Sequence, residues 1–341
     1  MNKSFSFKLH ADGEGAVLKT LLADPIVKLY NNSTKTPVKN NEITYQYDTT
    51  NSLMADTAGN VRYYGASPNN YIYFNCATYP STNCEIWRII GVFDGKLKIM
   101  RNEIIGTYSW DNKDKSTGAE TAYGKNDWTT ARLMKLLNPS DYYTIDSNDN
   151  GNGQSLYYNA QSGTCFSGQN NATTSCNFTS TGIKNDTTRN MIAEVTWNLD
   201  GWNTNAVYPD QIYNYERGTS VYSGRPTTWT GKIALAYPSD YGYAADLSKC
   251  IEKQLGSYNA TTCTANNWMK SILGTSSYGW LLTPRPNNVY LVWYVYSSGE
   301  VAYGYYAYDA ARGVAPVLYL SSELEIESGD GSSSNPYKLS V

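Results

Sequence analysis

One stretch of the chain has oxygen-bearing side chains at the spacing of a calcium-binding loop. Residues 146–151 read Asp-Ser-Asn-Asp-Asn-Gly, the first half of the pattern D-x-N-x-N-G. Alternating oxygen ligands suit a hard cation such as Ca²⁺. The twelfth position is Tyr157 rather than glutamate, so the bidentate ligand of a complete loop is missing. We predict no metal site. The segment is expected to be a solvated Asn/Gly loop. The alternative is a calcium site formed by Asp146, Asn148 and Asn150.

Residues that would form a common catalytic centre are few. His10 is the single histidine, which excludes multi-histidine metal sites and disfavours a Ser-His or Cys-His nucleophile. Glu194, Glu216 and Asp240 are isolated acids rather than a recognisable catalytic pair. The sequence also has no P-loop, dinucleotide-binding or G-x-S-x-G motif. We therefore expect a protein that is not an enzyme and uses no cofactor.

The six cysteines fall into three couples that are close in sequence. None is C-x-x-C, which disfavours zinc ribbons and thioredoxin-type sites. The short polar intervals favour nearest-neighbour bridges, and each would stabilise the fold by about 2.5–3 kcal/mol in the chain-entropy model. We expect an exported protein with three disulfides, the alternative being six free thiols in a cytosolic protein. The expected pairs are Cys76 with Cys84, Cys165 with Cys176, and Cys250 with Cys263.

Tyrosine dominates the aromatic residues, with 32 Tyr against 6 Phe and 9 Trp in 341 residues. A tyrosine offers a rigid contact face and one hydrogen-bonding tip, as in exposed recognition surfaces. The alternative is a Tyr-rich β surface of no special purpose. Charged residues make up only 17% and the formal net charge is −3, unlike a nucleic-acid binder. Apolar stretches are far shorter than the ~20 residues of a membrane span. We therefore expect that the protein neither binds nucleic acid nor inserts into a membrane.

The elements that must position these residues are mainly strands. Residues 61–64 and 71–74 read as strands, and residues 87–93 and 96–100 flank Asp94-Gly95, a hairpin signal. Two helices are predicted, one from Trp128 to Leu137 capped by Asp127, the other from residue 186 or 187 to about residue 199. A short third helix is predicted near 266–273. Further strands are predicted at 232–237, 289–296, 301–308 and 314–320. Strands with few helices give an α+β class with paired terminal strands and long disulfide-closed loops.

The C-terminal motifs resemble a known family. The pattern W-Y-V-x-S-S-G-x-V begins at Trp293 and is followed by G-V-x-P-V-L-Y-L-S-S at 313–322 and G-D-G-S-S-S-N-P-Y at 329–337. Further matches lie at 87–91, 127–139 and 237–244. Over about residues 60–341 the chain is similar to the C-type-lectin-fold variable proteins of gut bacteria and their phages. In that family, a diversity-generating retroelement rewrites codons by adenine-directed mutagenesis.

The resemblance implies a C-type-lectin-like fold whose C-terminal strands present variable side chains to a ligand. By position, it assigns two sets of residues. The variable, ligand-binding set is Asn287, Asn288, Tyr290, Leu291, Tyr303, Tyr305, Tyr306, Tyr308, Asp309 and Arg312. The scaffold set is Trp293, Gly299, Gly313, Pro316 and Leu318. The calcium-dependent sugar motifs Glu-Pro-Asn and Gln-Pro-Asp are absent, so the fold name does not imply sugar binding.

Two regions are expected, a stem or linker over residues 1–60 and a ligand-binding domain over residues 61–341. The stem would contain one helix-like stretch, residues 16–22. We expect a secreted or surface-displayed adhesin-like protein, with its targeting segment absent from this chain. Its ligand would be a protein or a cell-surface molecule. Two alternatives are a cell-wall glycan hydrolase, which needs two convergent acids, and a structural or pilus-like subunit.

Overall fold

The computed structural model describes residues 22–275 and 277–340. The helix-like stretch 16–22 lies outside these residues except for its last position. The described chain confirms the α+β class, with short helices and mostly antiparallel strands. Its helices are α1 Asp24–Asn32, α2 Arg132–Leu137, α3 Asp186–Met191, α4 Pro209–Tyr215, α5 Pro238–Tyr243, α6 Thr261–Thr264 and α7 Lys270–Leu273.

The strands of the described chain are β1 Thr36–Asn40, β2 Ile43–Asp48, β3 Leu53–Ala55, β4 Val61–Tyr63, β5 Tyr71–Phe74, β6 Glu85–Phe93, β7 Lys96–Arg101, β8 Ser162–Phe166, β9 Thr173–Asn177, β10 Val195–Asn198, β11 Thr228–Gly231, β12 Ile233–Ala234, β13 Gly279–Pro284, β14 Leu291–Val295, β15 Val301–Tyr306, β16 Val317–Tyr319, β17 Glu325–Ser328 and β18 Lys338–Ser340. Nine of them form one sheet, in the order β1-β2-β3-β4-β6-β7-β16-β12 with β5 beside β6. A separate sheet has the order β13-β14-β15.

The β6–β7 hairpin is confirmed, and its turn explains why the sequence signal was reliable. Phe93 pairs with Lys96, which leaves a two-residue loop. Asp94 has φ +48° and Gly95 has φ +75°. Positive φ at both central positions matches the right-handed twist of the flanking strands, and Asp-Gly adopts it readily. The hairpin thereby fixes the register at the centre of the large sheet.

Residues 22–60 differ from the expected stem. Strands β1 to β3 extend the large sheet, and β3 pairs with β4 from Leu53↔Tyr63 to Ala55↔Val61. Along β2 the exposed Thr44 and Gln46 alternate with the buried Tyr45 and Tyr47. Because a strand places alternate side chains on opposite faces, this segment buries one face in the same core as the rest of the chain. The described part of the stem is therefore an integral part of the fold, with β1 to β3 in the sheet and α1 packed on the core.

The predicted helices are shorter than expected. Asp127 does act as a cap, since its Oδ1 accepts a hydrogen bond from Thr129 N at 3.2 Å. It caps only a 3₁₀ turn over Trp128–Thr130, and Ala131 is extended before α2 begins. Helix α3 ends at Met191, and the residues expected to continue it form β10, paired with β11. Val195 and Leu199 fit the helical spacing, whereas Val195, Trp197 and Leu199 fit an alternating pattern. The β-branched and aromatic residues favour the strand.

Helices α4 and α5 were absent from the sequence prediction. Each has a proline in its first turn, Pro209 in α4 and Pro238 in α5. Proline is favoured there because its missing N–H would be unpaired in any case. Residues 232–237 were expected as one strand, but β12 covers only Ile233–Ala234. Helix α7 likewise covers only the end of the range predicted for the third helix.

The C-terminal segment returns to the first part of the fold. Tyr337 N donates to Tyr71 O at 2.9 Å, and Tyr73 N donates to Tyr337 O at 2.9 Å. Three disulfides join the expected pairs Cys76–Cys84, Cys165–Cys176 and Cys250–Cys263. Each bridge closes a loop between neighbouring parts of the chain. Within the described residues, no helix is both long and apolar enough to cross a bilayer.

We predict that Leu53→Ala destabilises the whole described fold. Leu53 is fully buried in β3, and removal of a buried leucine side chain costs about 2–5 kcal/mol of unfolding free energy. The nine tryptophans all follow residue 60, so their fluorescence in a urea titration reports on residues 61–341. The exposed Lys39→Ala in β1 is the control. A tryptophan transition unchanged by Leu53→Ala would show that residues 22–60 fold separately.

Candidate ligand-binding surface

Five tyrosines lie together at one end of the β13-β14-β15 sheet, and we call them the tyrosine surface: Tyr123, Tyr290, Tyr305, Tyr306 and Tyr308. The rings of Tyr123 and Tyr306 stack at 5.0 Å, and those of Tyr306 and Tyr308 at 5.5 Å. Tyr290 is 5.1 Å from Tyr123 and 5.4 Å from Tyr306. Tyr123 is 44% exposed and Tyr306 is 39% exposed. The rings form a continuous aromatic face with access to solvent.

The β14–β15 hairpin positions four of these rings. Leu291 pairs with Tyr306 and Val292 with Tyr305 across the two strands. The hairpin is anchored by Trp293, which is fully buried and donates from Nε1 to Trp202 O at 3.2 Å. Aromatic side chains on neighbouring strands are close enough to contact one another. A rigid backbone therefore holds the rings in place before any ligand arrives.

Tyr123 was not found by sequence reasoning. It lies in the loop before Asp127, far from the C-terminal strands in sequence, and its carbonyl accepts a hydrogen bond from Tyr308 N at 3.3 Å. The next residue, Gly124, has φ +89°, and a Cβ there would lie 2.1 Å from Asp111 O. Only glycine allows this close approach. In the sequence, the Tyr-Gly pair could have indicated a tight turn at this point. The neighbouring residues give no indication that the turn lies beside β15.

Arg312 was expected to contact the ligand, and the structure corrects this. Its side chain is buried, 5% exposed. The guanidinium carbon lies 3.8 Å from the ring centre of Tyr305 and 4.6 Å from that of Tyr278. A cation against the face of a tyrosine ring is attracted by the ring quadrupole. Arg312 therefore supports the tyrosine surface from beneath instead of facing solvent.

The remaining residues expected to be variable divide by exposure. Asn287 is exposed, and Tyr303 is half-buried against Trp293 at 6.0 Å. Asn288 shapes the turn, because its Oδ1 accepts from Tyr290 N at 2.8 Å and Leu291 N at 2.9 Å. Asp309 Oδ1 similarly accepts from Ala311 N at 2.7 Å. The side chains of Asn288 and Asp309 thus stabilise loops through hydrogen bonds to the backbone. Leu291, the first residue of β14, is half-buried.

The residues expected as scaffold occupy buried positions. Gly299 has φ +96° and its carbonyl accepts from Tyr241 Oη at 2.9 Å. Gly313 N donates to Tyr278 O at 2.7 Å. Pro316 O accepts from Arg101 N at 3.0 Å, and Leu318 pairs with Ile99 in β7. These contacts connect the strands that carry the tyrosine surface to the large sheet.

The phenol of Tyr308 serves as a neutral hydrogen-bonding group on this surface. Burial, followed by the neighbouring Tyr306, raises the pKa of Tyr308 above its ordinary value, so its hydroxyl is protonated at physiological pH. Tyr308 Oη accepts from Gln169 Nε2 at 3.2 Å. A protonated phenol both donates and accepts. The surface can therefore combine ring contacts with hydrogen bonds in either direction.

Among the calcium candidates, the carboxylate of Asp146 is engaged in a hydrogen bond within its own turn. Asp146 Oδ1 accepts from Asn148 N at 2.9 Å and caps a 3₁₀ turn, while Asn150 adopts φ +48°. The neighbouring Asp149 is buried between Arg132 Nε at 2.8 Å and Lys135 Nζ at 2.5 Å. The positive charges of Arg132 and Lys135 would repel a Ca²⁺ ion bound next to Asp149. Among residues 22–275 and 277–340, no three His, Cys, Asp or Glu side chains form a metal-ligand group.

The isolated acids bond to protein groups. Glu216 is fully buried and accepts hydrogen bonds from Ser239 N at 2.8 Å and Ser239 Oγ at 2.5 Å. Asp240 is 1% exposed and pairs with two cationic side chains. Glu194 Oε2 accepts from Tyr142 Oη at 2.7 Å. The first two are inaccessible to a glycan chain as the structure stands.

Comparisons of the chain with models of protein families, with curated proteins and with solved structures found no match. The geometry of the tyrosine surface therefore carries the functional inference.

A buried acid, Asp200, provides a test of the packing against β13. Asp200 is 1% exposed, and its Oδ1 has no hydrogen-bond partner among the described residues. The next residue, Gly201, packs tightly on β13, since a Cβ there would lie 2.5 Å from Pro284 O. Burial raises the pKa of Asp200 to about 6. The folded protein thus favours the protonated form of this carboxyl.

We predict that Asp200→Asn stabilises the protein at pH 8 and has little effect at pH 3.5. A carboxyl whose pKa is higher in the folded state contributes stability below its unfolded pKa, and that contribution is lost as the pH rises through about 6. Asparagine stays neutral throughout. Thermal unfolding at both pH values checks this, with the exposed Asp141→Asn as control. A shift in melting temperature of equal size at both pH values would contradict the burial of a charged group.

Proposed function

We propose that this chain is a non-enzymatic, extracellular or cell-surface binding protein that holds its ligand on the tyrosine surface. The ligand is a protein or a molecule displayed on a cell. The carrying observation is the continuous face formed by the rings of Tyr123, Tyr290, Tyr306 and Tyr308, of which Tyr123 and Tyr306 are exposed. Tyrosines provide large contact area at a low cost in conformational entropy, and they are enriched among residues that dominate binding energy.

Two further observations support an extracellular location and a C-type-lectin-like fold. Three disulfides occur typically in oxidising compartments. Mostly antiparallel sheets, few helices and a C-terminal segment beside β5 are compatible with that fold. We further propose, from the sequence resemblance, that a retroelement diversifies the exposed positions of β14 and β15. The rigid hairpin would tolerate such changes because its buried face carries the packing.

We predict that the triple variant Tyr123→Ser, Tyr306→Ser and Tyr308→Ser loses ligand binding while it stays folded. The probe is a random peptide library displayed on phage, selected on the immobilised wild-type protein. Peptides enriched on the wild type should bind the triple variant at least ~30-fold more weakly, because loss of central aromatic contacts costs about 2 kcal/mol or more. Binding is measured by surface plasmon resonance with synthetic peptides.

The matched control is the variant Leu29→Ser, Ile145→Ser and Ile251→Ser, which removes exposed apolar side chains elsewhere. It should bind the selected peptides as the wild type does. Circular dichroism and thermal unfolding confirm that both variants are folded. Peptides that bind the triple variant unchanged, or that lose binding to the control, would place the binding surface elsewhere.

We also predict a genomic signature of diversification. DNA flanking the gene should contain a reverse-transcriptase gene and a near-copy of codons 283–320 that differs only at adenines. The differences should fall at exposed positions such as Asn287 and Tyr306, and spare the buried Trp293 and Arg312. Sequencing of the flanking DNA checks this. Absence of both elements would overturn the retroelement proposal and leave a fixed binding surface.

A further inference from the structure

A narrow cleft lies beside the tyrosine surface, beneath the turn between β13 and β14. Its lining includes Asn126, Asp127, Trp128, Arg225 and Arg285. The cleft leaves about 10 Å³ for the centre of a water-sized group, which is room for about one oxygen atom.

Four of these lining residues carry a buried polar atom without a hydrogen-bond partner among the described residues. Three of the atoms are donors and one is an acceptor. They are Trp128 Nε1, Arg225 Nε, Arg285 Nε and Asn126 Oδ1. Such atoms are costly to bury unless they are bonded, at about 1–3 kcal/mol each, so their clustering at one cleft calls for a ligand group that accepts hydrogen bonds.

Other contacts hold these residues in place. Asn126 Nδ2 donates to Asn288 O at 2.8 Å and Leu291 O at 2.9 Å, which fixes the orientation of its amide. Trp128 is 1% exposed, with its ring 5.0 Å from that of Trp110. Arg225 Nη1 pairs with Glu120 Oε1 at 2.8 Å. The donors are therefore organised in advance.

The charge around the cleft favours an anion. Arg225 is balanced by Glu120, and Asp127 is balanced by Lys125, 3.2 Å away. Arg285 has no ion-pair partner in the described chain; its guanidinium carbon lies 4.9 Å from the ring centre of Tyr303. One positive charge is thus left over beside three free donors. Hydrogen bonds from an arginine to a carboxylate are stronger than those between neutral groups.

The cleft and the tyrosine surface share one loop. Asn126 N donates to Val289 O at 3.0 Å, and Arg225 Nη2 donates to the same carbonyl at 3.5 Å. The next residue, Tyr290, is part of the tyrosine surface. A ligand that covers these rings therefore passes close to the cleft.

We propose that the cleft binds a carboxylate of the ligand, such as that of an aspartate or glutamate side chain, whose oxygens accept hydrogen bonds from the donors of the residues that line it. The inference rests on the proposed function, because the carboxylate belongs to the molecule held on the tyrosine surface. A flat carboxylate presents a single oxygen edge that fits the available space. The one uncompensated positive charge matches a singly charged carboxylate better than a phosphate group, which carries a charge of about −1.5 to −2 at pH 7.

The experiment uses sodium acetate as the probe and the indole N–H of Trp128 as the reporter. Protein labelled with ¹⁵N-tryptophan gives one indole signal for each tryptophan, and Trp128→Phe identifies the signal of interest. Acetate is titrated against sodium chloride at constant ionic strength, because salt screens surface charge. We expect a saturable shift of the Trp128 signal with acetate. Sodium phosphate should give no saturable shift.

Variants test the arginine. Arg285→Gln should weaken the apparent affinity for acetate about tenfold or more, as expected for loss of one charged hydrogen-bond donor, while Arg285→Lys should retain part of it. Lys28→Gln, which removes an exposed positive charge on α1, should leave the affinity unchanged. Arg285 is partly exposed, so these variants are expected to fold, and thermal unfolding checks this.

Three outcomes would overturn the proposal: no saturable shift in the wild type, a shift caused by phosphate but not by acetate, or equal affinity in Arg285→Gln. Because acetate binding is measured without the ligand, its failure is separate from that of the proposed function. Loss of peptide binding in the tyrosine variant with no acetate shift would refute the cleft alone. An acetate shift with unchanged peptide binding would refute the tyrosine surface alone.

Discussion

Asp240 is buried in α5, and its carboxylate joins three parts of the fold. Its oxygens accept from Arg62 Nη1 at 2.9 Å and Lys98 Nζ at 2.5 Å, and Arg62 Nε pairs with Asp56 at 2.6 Å. Burial alone would raise the pKa of Asp240, but the charges of Lys98 and Arg62 outweigh it and lower that pKa. Removal of one partner would leave a buried, unpaired charge, which costs about 3–5 kcal/mol. These contacts therefore specify how β4, β7 and α5 meet.

The position of α5 determines where the tyrosine surface is built. Tyr241 follows Asp240, and its hydroxyl donates to Gly299 O in the turn between β14 and β15. Gly299 must be glycine because its φ is +96° and a Cβ would lie 2.6 Å from Thr264 Cγ2. The buried charges thus connect through one helix to the hairpin that displays the rings. Binding would use the outer face of this hairpin, while its inner face maintains the fold.

The parts of the site predicted from sequence are those with local causes. The tyrosines of β15 were identified because they are dense within one short segment. The structure adds Tyr123 to the same surface, from a loop that is distant in sequence. Arg312 has the polarity of a surface residue, yet it is buried because three tyrosine rings cover its guanidinium. The cleft has no sequence signature, since its donors come from three separate segments.

By itself the sequence determined features that depend on neighbouring residues: the Asp94-Gly95 hairpin, the Asp127 cap, the three disulfide pairs and the positions of β4 to β7 and of β14 to β16. The tertiary structure alone decided whether residues 22–60 join the sheet, whether Val195–Asn198 is helix or strand, and which tyrosines share a face. The reason is physical. Turn and cap preferences arise from the local backbone, whereas strand pairing and burial depend on contacts between residues far apart in the chain, which local patterns do not encode.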